Sequence, residues 1–229
     1  MTKNVTAKTL TTSAWGDGTR RTAPEAGTEK NWNPGNYVRP DHRGTPTKDD
    51  DHEGAIDALI AASGFENVAG VVIPVPWARI ENAEDTYTWT WLDDRIDYIT
   101  EGATNHLQVI LNLEMYSYGT STAPSTPQST SDAIVPDYII DAGWCGDGNG
   151  IMPKIDVTGC RDRVINIMAQ LWTRYGDNAR VEMIGLGETS RDYVGINSTN
   201  YNNNWLTIAE ALVTQAAGKL AWGFIDHNG

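Results

Sequence analysis

The feature that most constrains the fold is an alternation of continuous apolar runs with segments of helical periodicity. The runs cover residues 69–77, 107–114, 180–187 and 220–226. The segments between them repeat apolar residues at three- and four-residue spacing, which is typical of amphipathic helices. Strands without polar alternation, separated by such helices, indicate a parallel sheet covered by helices. The sequence therefore predicts an α/β fold with its helices outside the sheet.

Four helices are predicted from this periodicity. Their apolar positions are Ile56, Leu59 and Ile60 in the first; Leu92, Ile96 and Ile99 in the second; Val164, Ile167, Met168, Leu171, Trp172 and Tyr175 in the third; and Trp205, Ile208, Ala209, Leu212, Val213 and Ala216 in the fourth. The acidic run 49–53 precedes the first helix. Negative charge there suits the positive end of the helix dipole, and we favour this interpretation over metal binding.

The chain is interpreted as one domain preceded by an arm. Its 229 residues, 40% of them hydrophobic, are enough for one sizeable core. Residues 1–50 are rich in Thr, Gly, Pro, Asn and charge, so they predict an extended or loop-rich arm packed by Trp15, Trp32 and Tyr37. Residues 51–229 are then expected to form the α/β domain.

Charge and hydropathy narrow the possible partners. The formal net charge is −13, from 30 acidic and 17 basic residues, and no basic block is longer than Arg20-Arg21. We therefore expect no nucleic acid partner. No stretch approaches the roughly 20 apolar residues of a membrane span, and residues 1–8 lack the apolar segment of a signal peptide. Export by another route stays open, and we favour an extracellular or virion-associated location over the cytoplasm.

The aromatic composition points toward saccharides without requiring them. Nine Trp and nine Tyr stand against two Phe. Trp and Tyr combine a flat apolar face with a polar edge, a combination that suits sugar-binding clefts as well as ordinary cores and interfaces.

Cysteines and metal-ligand patterns carry little chemistry in this chain. Cys145 and Cys160 bracket a Gly/Asp-rich loop. A disulfide there would contribute on the order of 3 kcal/mol in the chain-entropy model, and two free thiols are an equal alternative. Residues 147–150 begin like a calcium loop but lack its later ligands, which favours a solvated turn. Because zinc spacing, a nucleophile elbow and a phosphate-binding glycine loop are also missing, we expect no metal and no cofactor.

Carboxylates stand where two of the apolar runs end. Glu188 follows the run 180–187, and Glu114 closes the run 107–114. Groups at the carboxyl ends of parallel strands form the sites of βα-barrel enzymes. An inserted loop at about residues 116–158 follows the second of these strands, and so long a connection is more often functional than accidental. Glu188 is the main candidate for chemistry, with a loop-capping carboxylate as an equal alternative.

A family resemblance supports this interpretation. The segment Pro76–Asp93 resembles the second βα unit of clan A glycoside hydrolases, such as family 42 β-galactosidases and family 5 glycanases, which show W-x-x-I-E-P followed by G-x-Y-x-W-x-x-L-D. The stretch Leu171–Asp177 and the strand into Gly187-Glu188 are similar to their third helix and fourth strand. The resemblance covers roughly residues 54–226. It implies a βα-barrel related to the TIM barrel, a saccharide substrate, and Glu188 as the acid/base glutamate.

Two departures from the family pattern bear on function. Gly187 stands where the commonest pattern has Asn, so the sugar-binding role of that Asn is unassigned. In the family the nucleophile follows the seventh strand of the barrel. If the run 69–77 is the second strand, the last run of this sequence, 220–226, is only the fifth strand. The resemblance therefore implies an incomplete barrel. Its exposed strand edges would need covering, by the arm, by further sequence, or by a homo-oligomer or larger assembly.

The predicted site joins two carboxylates to polar and aromatic binding groups. Retaining hydrolysis needs two carboxyl groups about 5–5.5 Å apart, and inverting hydrolysis roughly 6.5–9.5 Å. We predict Glu188 as proton donor and Glu114 as second carboxylate, although the resembling families more usually bind substrate with the latter strand. The predicted substrate-binding residues are Trp77, Tyr116, Asn112 and Asp226, with packing as an equal alternative for Trp77. The prediction requires Trp77, Glu114 and Glu188 to open onto one pocket rim.

Two functions follow from these features. The first is a glycoside hydrolase-like domain that cleaves or binds a β-linked saccharide. The second is a non-catalytic structural or interaction module in a virion or cell-surface assembly.

Overall fold

The computed structural model describes residues 36–39, 54, 56–58, 68–101, 107–118, 134–147, 150–187, 195–216 and 221–223. In chain order the elements are β1 (Asn36–Val38), β2 (Val68–Pro76), α1 (Trp77–Ile80), β3 (Glu81–Ala83), β4 (Thr86–Tyr87), α2 (Thr90–Glu101), β5 (Gln108–Glu114), β6 (Ser117–Tyr118), α3 (Asp137–Asp141), β7 (Cys145–Asp147), β8 (Gly150–Pro153), α4 (Thr158–Tyr175), β9 (Val181–Leu186), α5 (Ser198–Ala216) and β10 (Ala221–Gly223). Residues 54 and 56–58 are also helical, with Ile56 buried, whereas Leu59 and Ile60 lie outside the described residues. Among the helices described, none has the length and apolar character needed to cross a membrane.

Five parallel strands form the main sheet of the described chain, in the order β1-β2-β5-β9-β10. The last four correspond to the four strands predicted from the apolar runs, so the predicted parallel sheet is confirmed. The first strand, Asn36–Val38, lies in the segment predicted as an arm and pairs with β2. The division of the chain at residue 50 stays a prediction.

The two faces of this sheet are covered unequally. One face carries fully buried apolar side chains from three neighbouring strands, namely Val71, Ile73, Val75, Val109, Leu111, Leu113, Ile184 and Leu186. Each such side chain contributes about 1.5–3 kcal/mol, so this face holds the main core. On the opposite face Val72, Ile110 and Met183 are only half-buried. Helices cover the outside of a βα-barrel, so the second face corresponds to the barrel interior.

Three long helices confirm the predicted amphipathic segments. α2 buries its three predicted apolar positions, and α4 buries all six of its own. On α5 the side chains of Ile208, Leu212 and Ala216 are buried, whereas Ala209 and Val213 are exposed. The buried residues of α5 therefore follow a four-residue spacing. The predicted buried face wrongly included Ala209 and Val213, which lie beside it.

The inserted segment after β5 contains a separate sheet of three short strands, and β3 and β4 form an antiparallel pair. Within the described residues of the insertion β6, β8 and β7 pair antiparallel in that order, and α3 precedes β7. The backbone N–H of Ala78 donates to the carbonyl of Ile134 over 2.9 Å, and α3 contacts β3. The insertion is thus anchored on the segment that follows β2.

A tyrosine crosses the amino-terminal end of the sheet through a gap left by a glycine. The hydroxyl of Tyr37 on β1 donates to the buried carboxylate of Glu182 on β9. A Cβ atom at Gly70 on β2 would lie 2.5 Å from Cε1 of Tyr37 and would collide with the backbone carbonyl of Gln108. Glycine is therefore required at position 70 for close approach of ring and backbone.

Gly70→Ala is expected to lower the free energy of unfolding by about 3 kcal/mol, near the upper end for overpacking, because the carbonyl of Gln108 belongs to the sheet ladder and cannot move aside. Urea unfolding followed by circular dichroism measures this. Tyr37→Ala removes one of the two collisions but also the bond to Glu182, so the double variant is compared with Tyr37→Ala alone, where adding Gly70→Ala should cost less than it does in the original protein. A Gly70→Ala protein as stable as the original would contradict the packing described here.

Both cysteines are buried free thiols. Burial raises the pKa of Cys145 to about 12, and burial is also the main cause that raises the pKa of Cys160. Thiolate is the reactive form of cysteine, so neither side chain is prepared for nucleophilic chemistry.

The folded protein should therefore react slowly with a disulfide reagent such as 5,5′-dithiobis(2-nitrobenzoate) at pH 8, and two thiols should react at once in denaturant. Because burial raises the folded-state pKa of both thiols above the ordinary value of about 8.5, their contribution to the free energy of unfolding is complete below that pH. It falls as the pH rises, and for Cys145 it is lost as the pH passes about 12. Rapid reaction of either thiol in the folded protein would contradict their burial, and no reaction after unfolding would indicate a disulfide.

Candidate functional site

Two polar side chains project from the carboxyl-terminal end of β5. Asn112 and Glu114 alternate with the buried core residues and lie on the less covered face of the sheet. Across the ladder, Asn112 stands opposite Gly185, and Glu114 stands opposite Pro76. The flanking strands thus present glycine and proline where β5 presents an amide and a carboxylate. These functional groups therefore lie at the carboxyl-terminal end of the sheet, where βα proteins form their active sites.

Asn112 has an unsatisfied buried oxygen. Its side chain is 5% exposed, and its Oδ1 accepts no hydrogen bond from the described residues. A Cβ atom at Gly187 would lie 3.2 Å from the Nδ2 of Asn112 and 2.9 Å from the carbonyl of Leu113, so glycine lets the end of β9 approach closely. A buried acceptor without a donor costs about 1–3 kcal/mol, so Oδ1 of Asn112 is suited to accept a hydrogen bond from a water molecule or a ligand hydroxyl.

Glu114 is held by an arginine that the sequence analysis missed. Glu114 is buried, with 10% of its side chain exposed, and its Oε1 accepts a hydrogen bond from Nη2 of Arg39, the residue after β1. Arg39 lies in the segment predicted as an extended or loop-rich arm, directly after a strand of three residues that is too short to detect from the sequence. The pair joins an edge strand to the middle of the sheet across β2.

Trp77 lies at the end of β2 but faces inward. Its side chain has no exposed surface, and its indole N–H donates to Oε2 of Glu81 over 2.6 Å. The four-residue spacing in the motif W-x-x-I-E is thus the spacing of a hydrogen-bonded turn of α1. Burial supports the packing alternative for Trp77, and contact with a saccharide stays a prediction.

Glu81 is the centre of a buried polar network that the sequence did not reveal. Its fully buried carboxylate also pairs with Arg163 of α4 and accepts a hydrogen bond from the backbone N–H of Asp85. Arg163 further donates to Asp85 over 3.0 Å and to the hydroxyl of Tyr138 over 3.2 Å. The network ties the turn after β2, the inserted segment and α4 together beside the candidate site.

Burial and neighbouring charges fix the protonation of Tyr87, Tyr138 and Arg163 in this network near neutral pH. Burial and the charge of Glu81 raise the pKa of Tyr87 to about 12, and burial is the main cause that raises the pKa of Tyr138. Burial alone would lower the pKa of Arg163, but its bonds to Tyr138 and Asp85 and the charge of Glu81 raise it. The phenols therefore remain protonated and the guanidinium remains charged, as expected of a structural network.

The remaining predicted site residues divide into one that is described and two that are not. Tyr116 is 7% exposed and packs with Met152 of β8 and the half-buried Ile196. Glu188 and Asp226 lie outside the described residues. A common pocket rim for Trp77, Glu114 and Glu188 therefore stays a prediction, although the strands that precede these positions are neighbours in the sheet. Among the described residues no cluster of His, Cys, Asp or Glu side chains has the form of a metal site.

Comparison with known proteins places the fold. No protein-family model matches this sequence, and no curated protein sequence is similar to it. Among solved structures, a GH5_18 protein from Streptomyces cattleya in complex with GlcNAc aligns over 82% of this chain and 43% of its own, at 11% identity and a TM-score of 0.53. Endo-glycoceramidase II from Rhodococcus sp., in a ganglioside GM3 complex, aligns over 76% of this chain and 43% of its own, at 13% identity and a TM-score of 0.52.

The chain has the fold of part of a βα-barrel, which it shares with these two structures. The fold predicted from the resemblance to clan A glycoside hydrolases is thus confirmed. The chain spans less than half the length of these two structures. In the part of the chain that the structure describes, the sheet of this barrel is open, with β1 and β10 at its edges.

Proposed function

We propose that this chain is a glycoside hydrolase-like domain that cleaves or binds a β-linked saccharide, with Glu188 as general acid/base. The observation that carries the proposal is the hydrogen bond from the backbone N–H of Gly187 to the carbonyl of Leu113, 2.7 Å long. It fixes the residue before Glu188 beside the strand end that bears Glu114. Two carboxylates on adjacent strand ends of a hydrolase barrel are the elements that glycoside hydrolysis requires.

In this proposal Glu188 donates its proton to the glycosidic oxygen as the bond to the anomeric carbon breaks. A carboxylic acid with this role at neutral pH needs a raised pKa, which an apolar setting or a second carboxylate provides. Glu114 is the second carboxylate. As a nucleophile it forms a bond to the anomeric carbon while the leaving oxygen takes the proton of Glu188, whereas as a binding group it accepts a hydrogen bond from a substrate hydroxyl and the two residues then support saccharide binding without cleavage. Its pairing with Arg39 favours the binding role, because the guanidinium already occupies one of its oxygens.

The other predicted residues have roles that their surroundings suggest. The unsatisfied Oδ1 of Asn112 is suited to accept a sugar hydroxyl. Asp226, three residues after β10 in the sequence, is proposed as a polar contact to the saccharide. Trp77 and Tyr116, both buried, are proposed to support the floor of the cleft, and either would need to become exposed before it could stack on a sugar ring.

The experiment that tests the proposal is a panel of β-linked oligosaccharides and aryl β-glycosides, assayed for hydrolysis and, by calorimetry, for binding. We expect hydrolysis or binding of at least one β-linked saccharide and none of the matched α-linked ones. The anomeric proton signals of the first-formed product then distinguish retention from inversion. If no saccharide of the panel is hydrolysed and none is bound, the proposal is refuted.

A second candidate is the non-catalytic interaction module. On α5, Leu206 is 64% exposed and Val213 is 71% exposed, and their seven-residue spacing places them on one face. Exposed apolar residues in register on one helix face suit contact with another protein surface. Light scattering discriminates between the candidates, because an obligate assembly without saccharide activity supports the module and a stable monomer counts against it.

A further inference from the structure

We propose that Arg39 is a specificity-determining residue of the saccharide site, and that the Arg39–Glu114 ion pair binds two adjacent hydroxyl groups of a neutral sugar. This inference rests on the proposed function and deepens it. It assigns one hydroxyl as a donor to Glu114 and its neighbour as an acceptor from Arg39.

The chemistry of the ion pair matches a vicinal diol. A guanidinium carries five N–H donors in a planar fork and has no acceptor, whereas an ionised carboxylate only accepts. The side chain of Arg39 is 41% exposed, and that of Glu114 is 10% exposed. Within the described residues Arg39 donates to Glu114 alone, through Nη2. Donors therefore remain beside a carboxylate at the strand end, as two neighbouring hydroxyls require.

The net charge of the pair favours a neutral ligand. Glu114 compensates the charge of Arg39, so no full positive charge is left over for the carboxylate or sulfate group of an acidic sugar. The protein carries a formal net charge of −13, which also disfavours anionic ligands at long range. The expected ligand is a neutral pyranose with adjacent free hydroxyl groups.

A second observation points to a ligand at the same place. Asn112 lies two residues before Glu114 on the same face of β5, is 5% exposed, and has an Oδ1 without a donor among the described residues. The neighbouring strand positions, Gly185 on β9 and Pro74 on β2, offer no donor side chain. A bound polyol supplies hydroxyl donors of the kind this oxygen lacks.

The test measures binding of methyl β-D-glucopyranoside and methyl β-D-galactopyranoside, and of their monodeoxy derivatives, by calorimetry. Arg39→Met should weaken binding of the parent glycoside roughly 10- to 100-fold, the expected effect of a lost hydrogen bond to a charged group. The deoxy derivative that lacks the contacted hydroxyl should bind equally weakly to the original protein and to Arg39→Met. Removing the hydroxyl and removing the guanidinium abolish the same hydrogen bond. Arg39→Lys should restore part of the affinity.

Matched variants separate recognition from folding. Arg174→Met removes another ion-paired arginine, also 41% exposed, on the last turn of α4, and should leave binding unchanged. If Arg39→Met alone unfolds, Arg39→Met with Glu114→Gln leaves no unpaired charge, and it should fold without distinguishing parent from deoxy sugars.

An Arg39→Met protein that binds parent and deoxy glycosides as the original does, or that loses both to the same degree, would overturn the inference while leaving the hydrolase proposal standing. Absence of binding and hydrolysis in the original protein would overturn both.

Discussion

Glu188→Gln is expected to reduce hydrolysis of unactivated β-linked oligosaccharides by about 10²- to 10⁴-fold, the usual contribution of a general acid. Glutamine keeps the size and hydrogen-bonding shape of the side chain but has no acidic proton to give to the leaving oxygen. Saccharide binding should be retained, because the lost interaction forms in the transition state. Initial rates and calorimetric dissociation constants, measured on the same preparations, test both parts.

Two comparisons test this expectation further: one between substrates with different leaving groups, and one with a control variant at an exposed carboxylate. A nitrophenyl leaving group needs less protonation, so aryl glycosides should suffer a smaller loss than oligosaccharides. Glu210→Gln removes an exposed carboxylate of α5 and should leave rates unchanged. Unchanged turnover in Glu188→Gln would remove Glu188 from the mechanism. Equal losses in binding and turnover would assign it to substrate binding instead.

The parallel sheet and its helices could be predicted because their signals are local. The run 69–77 is apolar on both faces, and α4 repeats its apolar residues over five turns of helix, so each segment indicates its own secondary structure from neighbouring residues alone. The parallel direction of the strands followed from the alternation of strands and helices, since parallel neighbours need a crossover.

The polar contacts could not be predicted because their partners are far apart in the sequence. Arg39 and Glu114 are separated by 75 positions, and Glu81 and Arg163 by 82. Neither pair leaves a periodic signal, and β1 has only three residues. The motif W-x-x-I-E was visible, but only the structure gives the physical reason for its spacing, which is the indole N–H of Trp77 bonded to Glu81.

Arg163→Met is expected to lower the free energy of unfolding by about 3–5 kcal/mol, the usual cost of leaving a buried charge without its partner. The carboxylate of Glu81 has no exposed surface, and the side chain of Arg163 is 11% exposed. The bonds that Glu81 accepts from Trp77 and Asp85 do not compensate its charge. Urea unfolding followed by tryptophan fluorescence measures the change.

The double variant Glu81→Gln with Arg163→Met tests whether charge is the cause of that loss. Glutamine still offers a carbonyl oxygen to the indole N–H of Trp77 but carries no charge. The double variant should therefore be more stable than Arg163→Met alone, with a coupling energy on the order of 2 kcal/mol. Arg174→Met is the matched control, because its pair with Asp93 is partly exposed and is worth about 1 kcal/mol or less. Equal losses in Arg163→Met and Arg174→Met would show that the pair with Glu81 is solvated.

Since the network holds the inserted segment beside the carboxyl end of β5, a loss of stability confirmed for Arg163→Met should be accompanied by weaker saccharide binding, whereas Arg174→Met should bind saccharide as the original protein does.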